Sequence, residues 1–167
     1  MDACEEFGFI YGALRRDDLA AAIGEAGRQL ITLLAGPAPQ LTARRVPEVW
    51  SCLEYACHVR DVLLIQRDRL YVAVVEDEPS FKPMYRDERV ALDRYASQQI
   101  EVVAAQLLMA AAMTAHAFAG LTPEQWNRPL IYNYPTRTRR DVEWMAHHTL
   151  HEVVHHRCDI ERIVSTK

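Results

Sequence analysis

All eight prolines of this 167-residue chain fall into three clusters: Pro37, Pro39 and Pro47; Pro79 and Pro83; Pro123, Pro129 and Pro135. Proline lacks a backbone N–H and its ring clashes with the preceding turn, so it interrupts helices. The clusters therefore leave four long proline-free segments. The first covers about residues 17–36, with Asp17 as N-cap and Gly36 as C-terminal stop. Leu19, Ile23, Ala26, Leu30 and Leu34 give it an apolar stripe at helical spacing. The second covers about residues 47–75, with a proline in its first turn. The third covers about residues 87–119, where Leu92, Ala96, Val103, Leu107 and Ala110 share one face. The fourth runs over about residues 139–164. Residues 130–134 read as a short extended piece, and no sheet is expected. The expected fold is all-α, a four-helix bundle, organised as one domain over residues 1–167. The link over residues 76–86 spans roughly 36 Å when extended. It can cross the bundle or close a hairpin, so periodicity alone leaves the topology open.

Composition excludes several partners. The net charge is −4, and the short basic runs Arg15-Arg16, Arg44-Arg45 and Arg137 to Arg140 read as solvated surface, so no nucleic-acid partner is expected. Cys4, Cys52, Cys57 and Cys158 form no CxxC pair, which fits reduced thiols in the cytoplasm. The start, MDACEEF, has neither the basic nor the apolar region of a secretory signal. Residues 102–121 carry no charge and are long enough to cross a bilayer. Their alanine content and Gln106, Thr114 and His116 fit a bundle helix better, and no membrane partner is expected.

The fourth segment carries the chemistry. Five histidines and one glutamate lie within residues 147–156. Imidazoles and carboxylates hold Zn, Ni, Fe or Mn, and i,i+4 spacing on a helix turns two of them to one point. Another histidine, His58, sits in the second segment. At 100° per residue, with Glu152 at zero, His156 lies near 40°. The apolar residues Val142, Met145, Val153, Ile160 and Ile163 fall between about 20° and 100°. Glu152 and His156 therefore face inward, His148 is borderline, and His147, His151 and His155 are expected to face solvent, a helix end or a partner. On the second segment, His58 shares its face with Tyr55, Val62 and Ile65.

Burying a carboxylate and two imidazoles is costly without compensation, and a bound cation supplies it. The expected metal ligands are His58, Glu152 and His156, leaving coordination positions open for water, a thiolate or substrate. His58 to Asp61 and His156 to Asp159 are both H-x-x-D, so Asp61 and Asp159 are expected to orient the two imidazoles from behind. Tyr55 and His148 are candidates for the wall of the site. A competing motif is HEVVH, residues 151–155, the H-E-x-x-H of zinc peptidases. It offers His151 and His155 as a fallback ligand pair with Glu152 as general base. Only 12 residues follow His155, leaving little room for a downstream third ligand, and its histidines point away from the apolar stripe.

The pattern WSxxEYxxHxRD (Trp50, Ser51, Glu54, Tyr55, His58, Asp61), followed by HExxHHxxDI over residues 151–160, resembles the DinB-like superfamily of small bacterial four-helix proteins. That superfamily includes the N-terminal domain of mycothiol-dependent maleylpyruvate isomerase and related thiol-dependent transferases. The resemblance covers nearly the whole chain. It implies an up-down-down-up bundle and a divalent metal, zinc first and then nickel, iron or manganese. The metal would be held by one histidine of the second helix and two i,i+4 residues of the fourth, which match Glu152 and His156. It also implies mycothiol or bacillithiol as cofactor, an electrophilic substrate, and a homodimer. The expected function is a thiol-dependent transferase or isomerase. The alternatives are a zinc peptidase and a non-catalytic protein in which metal only staples helices.

Overall fold

A computed structural model describes residues 3, 4 and 6–165. Four long helices build the frame: α1 (Arg16–Thr32), α3 (Cys52–Val75), α5 (Ile100–Ala119) and α7 (Val142–Ser165). Between them lie α2 (Ala38–Thr42), α4 (Arg86–Leu92), a 3-10 turn over Tyr95–Ser97, and α6 (Pro123–Trp126). The interior is filled by Leu19, Ile23, Leu30, Leu53, Leu63, Leu70, Leu107, Phe118, Met145, Val153 and Ile160, all fully buried.

Contacts between helices fix their directions. Arg16 Nε donates to Glu143 at 2.9 Å near the start of both α1 and α7, and Arg157 reaches Gln29 farther along, so these two run parallel. Gly24 faces Ala115 and Gly27 faces Ala111, so α1 and α5 are antiparallel. Arg60 donates to Gln106 and the Thr114 hydroxyl donates to the Leu63 carbonyl, so α3 and α5 are parallel. Tyr55 packs on His156 while His58 meets Glu152, so α3 and α7 are antiparallel. The bundle is therefore up-down-down-up, as the resemblance implies. The segment between α3 and α5 travels the length of the bundle.

Local chemistry moves several helix ends. The second long helix starts at Cys52, five residues after Pro47, because Ser51 and Glu54 form a capping box. The Ser51 hydroxyl accepts from the Glu54 N–H at 3.2 Å, and the Glu54 carboxylate accepts from the Ser51 N–H at 2.8 Å. Together they satisfy two donors that a helix start otherwise leaves unpaired. The first helix is capped at Arg15, with Asp17 and Asp18 inside its first turn, and ends at Thr32 ahead of Gly36. The third segment breaks after Leu92, where Arg94 adopts a left-handed backbone with φ of 47°.

A small sheet corrects the expectation that none forms. β1 (Ser80–Phe81) pairs parallel with β2 (Pro129–Asn133), which pairs antiparallel with β3 (Arg137–Asp141). The residues expected to begin the fourth helix, from Arg139, are strand instead. Asp141 then caps α7, its carboxylate accepting from the Trp144 N–H at 2.8 Å. The sheet covers one end of the cleft between α3 and α7 with Phe81 and Tyr132. Helix α5 is long and apolar enough to cross a membrane. In the bundle it buries Val103, Leu107, Ala110, Thr114 and Phe118 against its neighbours and leaves Val102, Leu108, Met109 and Met113 exposed.

Candidate metal centre

The capping box of α3 sets the register that places His58 two turns into the helix, facing α7. There its Nε2 stands 3.9 Å from Glu152 Oε2, and Nε2 of His156 stands 3.8 Å from the same oxygen. One donor atom from each of the three residues lies within 4.8 Å of the others. His58 is 1% exposed and His156 7%. Donors held ~2.1 Å from a tetrahedral cation are ~3.4 Å apart. The observed separations thus require only small inward movements to close on an ion. Nδ1 of His58 is buried without a hydrogen-bond partner among the described residues.

Two of the trio hold the protonation state that such an ion needs. Burial holds His58 below the ordinary histidine range, in the neutral form that ligates metal. Burial also pushes the Glu152 carboxyl up, but the imidazoles of His151, His156, His58 and His148 outweigh it and hold the group well below the usual carboxylate range. His156 differs: burial disfavours its charge, yet Asp159 and Glu152 raise it to about 9. Nδ1 of His156 and Oδ2 of Asp159 are 2.9 Å apart, which turns Nε2 toward Glu152.

Asp61 does not play the matching part for His58, and that expectation is corrected. Its carboxylate accepts from the Tyr95 hydroxyl at 2.6 Å and from Arg60 Nε at 2.8 Å, and Arg89 lies 3.6 Å away. With two strong donors on the far side of α3, it is drawn away from His58. Tyr55 backs the His156 ring at a centroid distance of 5.3 Å, and Trp50 backs His58 at 5.2 Å.

His58, His148, His151, Glu152, His155 and His156 all border one cavity of about 190 Å³. Phe81, Tyr132 and Val62 supply its apolar wall, and Arg69, Lys82 and Arg86 bring positive charge. His148 thus stands in the cavity wall. It stacks on Trp144 at 4.8 Å, and burial lowers its pKa to about 4.

The outward face expected for His147, His151 and His155 is covered by the segment before α1. Gly12 N–H donates to His147 Nδ1 at 3.4 Å, and His147 is only 3% exposed. Phe9 packs against His151 and Phe7 against His155, at 5.3 and 4.6 Å. Cys4 Sγ lies 3.6 Å from His155 Nδ1, and Cys4, His151 and His155 bring donor atoms within 4.8 Å of one another. The H-E-x-x-H pair thus meets a thiol from the chain start, while Glu152 turns to His58 and His156. Sequence reasoning missed Cys4 and Tyr11. The alternation Phe7, Phe9, Tyr11 was the available sign of an extended strip laid on an apolar face.

No curated protein matches the chain. Among solved structures, YfiT from Bacillus subtilis is similar, with a TM-score of 0.84 and 15% identity over 95% of this chain and 93% of that one. YfiT is described as a probable metal-dependent hydrolase with an unusual four-helix bundle topology. The family model of the DinB superfamily matches residues 16–160, which takes in α3 and all the histidines of α7, and the chain belongs to that superfamily.

Proposed function

We propose that this protein is a metal-dependent enzyme whose divalent cation is held by His58, Glu152 and His156. We further propose that it transfers a low-molecular-weight thiol, mycothiol or bacillithiol, to an electrophile taken into the adjoining cavity. The observation that carries this reading is two buried imidazoles and one ionised carboxylate, from two helices, converging at the wall of an open cavity. When bound, the cation would act as a Lewis acid that lowers the pKa of a coordinated thiol. Zinc suits the donor set best, and nickel, iron and manganese also accept it.

The chain's own groups do the rest. Asp159 orients His156 and Trp50 braces His58. Arg69, Lys82 and Arg86 draw anionic groups of the thiol or its acceptor into the cavity. Phe81 and Tyr132 exclude water around the reacting atoms. A second reading, hydrolysis by metal-activated water, is favoured by the likeness to YfiT and uses the same ligands. The cobalt-substituted protein separates the two. Addition of mycothiol or bacillithiol should produce a thiolate-to-cobalt charge-transfer band, lost in His58→Ala. An unchanged cobalt spectrum with both thiols removes the transferase reading and leaves hydrolysis.

A further inference from the structure

We propose that Glu152 is a bridging carboxylate, and that His148 and His151 hold a second cation on its other oxygen. This rests on the reading of His58, Glu152 and His156 as ligands of a first cation. Oε2 of Glu152 faces the Nε2 atoms of His58 and His156 at 3.9 and 3.8 Å. Oε1 faces His148 Nε2 at 3.9 Å and His151 Nδ1 at 3.4 Å. Each oxygen of one carboxylate thus stands before its own pair of imidazoles, at the separations of a coordination edge. Helical spacing makes the set compact, because His148, Glu152 and His156 are successive i,i+4 residues and His151 is three after His148.

Two further observations point to a ligand on the second side. Both ring nitrogens of His151 are buried without a hydrogen-bond partner among the described residues. His151 Nδ1 faces the Glu152 oxygen at 3.4 Å without closing a hydrogen bond, and a cation between the two satisfies both. His148 is set up as His156 is. Its Nδ1 lies 2.9 Å from the Tyr11 hydroxyl, and the tautomer that donates Nδ1–H to Tyr11 presents the Nε2 lone pair toward Glu152. The donors of His148, His151 and Glu152 lie within 4.8 Å of one another, and all three residues border the same cavity as the first set. Two imidazoles and a carboxylate oxygen for each ion suit divalent first-row metals such as zinc, manganese or cobalt. Carboxylate-bridged two-metal sites hold their ions roughly 3.5–4 Å apart and act on one substrate oxygen or sulfur together.

The test is metal stoichiometry of the full chain, stripped and reloaded with Zn(II), together with electron paramagnetic resonance of the Mn(II)-loaded protein. Two equivalents of zinc per chain are expected, with an exchange-coupled manganese spectrum at saturation. The double variant His148→Gln, His151→Gln should bind one equivalent and show an uncoupled six-line spectrum. One equivalent in the wild type, lost in His58→Ala and kept in the double variant, overturns the second cation and leaves the first intact. No binding at all overturns both. Two equivalents with an uncoupled spectrum overturn the bridge. Loss of the second equivalent in Cys4→Ser but not in His148→Gln also overturns it, placing that ion on Cys4, His151 and His155. The wild-type measurements decide the matter even if a variant fails to fold.

Discussion

At His156 a proton and the proposed metal ion would compete for one nitrogen. In the metal-free protein Asp159 and Glu152 raise this imidazole to about 9 despite its burial, so it carries a proton at neutral pH. Metal uptake at pH 7 should therefore release about one proton from it. Calorimetry in buffers of different ionisation enthalpy counts that proton. Asp159→Asn should lower the count, and equal counts in both proteins would exclude His156 as the source. The same shifts shape metal-free stability. A histidine raised from 6.5 to about 9 contributes stability that is full below pH 6.5 and lost as pH rises toward 9. His148, lowered by burial from 6.5 to about 4, contributes stability present above pH 6.5 and lost as pH falls toward 4. Denaturant midpoints of the metal-free protein should peak near pH 6.5. His148→Gln should flatten the acid side and Asp159→Asn the alkaline side. The two H-x-x-D repeats show how far residues alone can be read. Their spacing is identical, yet Asp159 meets its histidine and Asp61 is captured by Tyr95 and Arg60, donors whose proximity depends on folding.

At the scale of elements, α1 and α5 approach closely at Gly27. A Cβ on Gly27 would lie 2.5 Å from Ala111 Cβ, an atom that cannot move without its backbone. Gly27→Ala gains up to about 1 kcal/mol of helix propensity, but forcing the helices apart costs about 1–3 kcal/mol. A net fall in melting temperature is expected, and adding Ala111→Gly should restore it; a stabilised single variant would show that the helices separate freely. Proline spacing and apolar stripes made the four helices legible because both are local signals. The sheet was not legible. β3 is Arg-Thr-Arg-Arg-Asp, with no apolar alternation, and it is strand because β2 pairs with it. The pairing of β1 with β2 joins residues far apart in the chain, which no local pattern encodes. The chain start was opaque for the same reason: its aromatic rings find their partners only on folded α7.

For the molecule as a whole, the candidate metal centre lies between α3 and α7, and the cavity, the sheet and the chain start all gather around that seam. The inward convergence of His58, Glu152 and His156 was legible because helical periodicity places them on the same stripe as the core. The four-imidazole surround of Glu152 was not, because His148 and His151 depend on cover from Tyr11 and Phe9. A cation bound to residues of both helices binds the folded chain alone, so it stabilises that state by mass action, about 4 kcal/mol at a thousandfold excess over Kd. For a chain of this size each kcal/mol moves the melting temperature by roughly 2–4 °C. Chelation of the loaded protein should therefore lower the melting temperature by roughly 8–16 °C. His58→Ala should melt near the chelated wild type and respond little to chelator, because its α7 ligands no longer connect to α3. A loaded wild type that melts at the same temperature with and without chelator would mean that no ion spans the two helices. Turnover then separates a staple from a catalyst: a purely structural ion predicts this thermal shift with no reaction of any thiol or hydrolysable substrate.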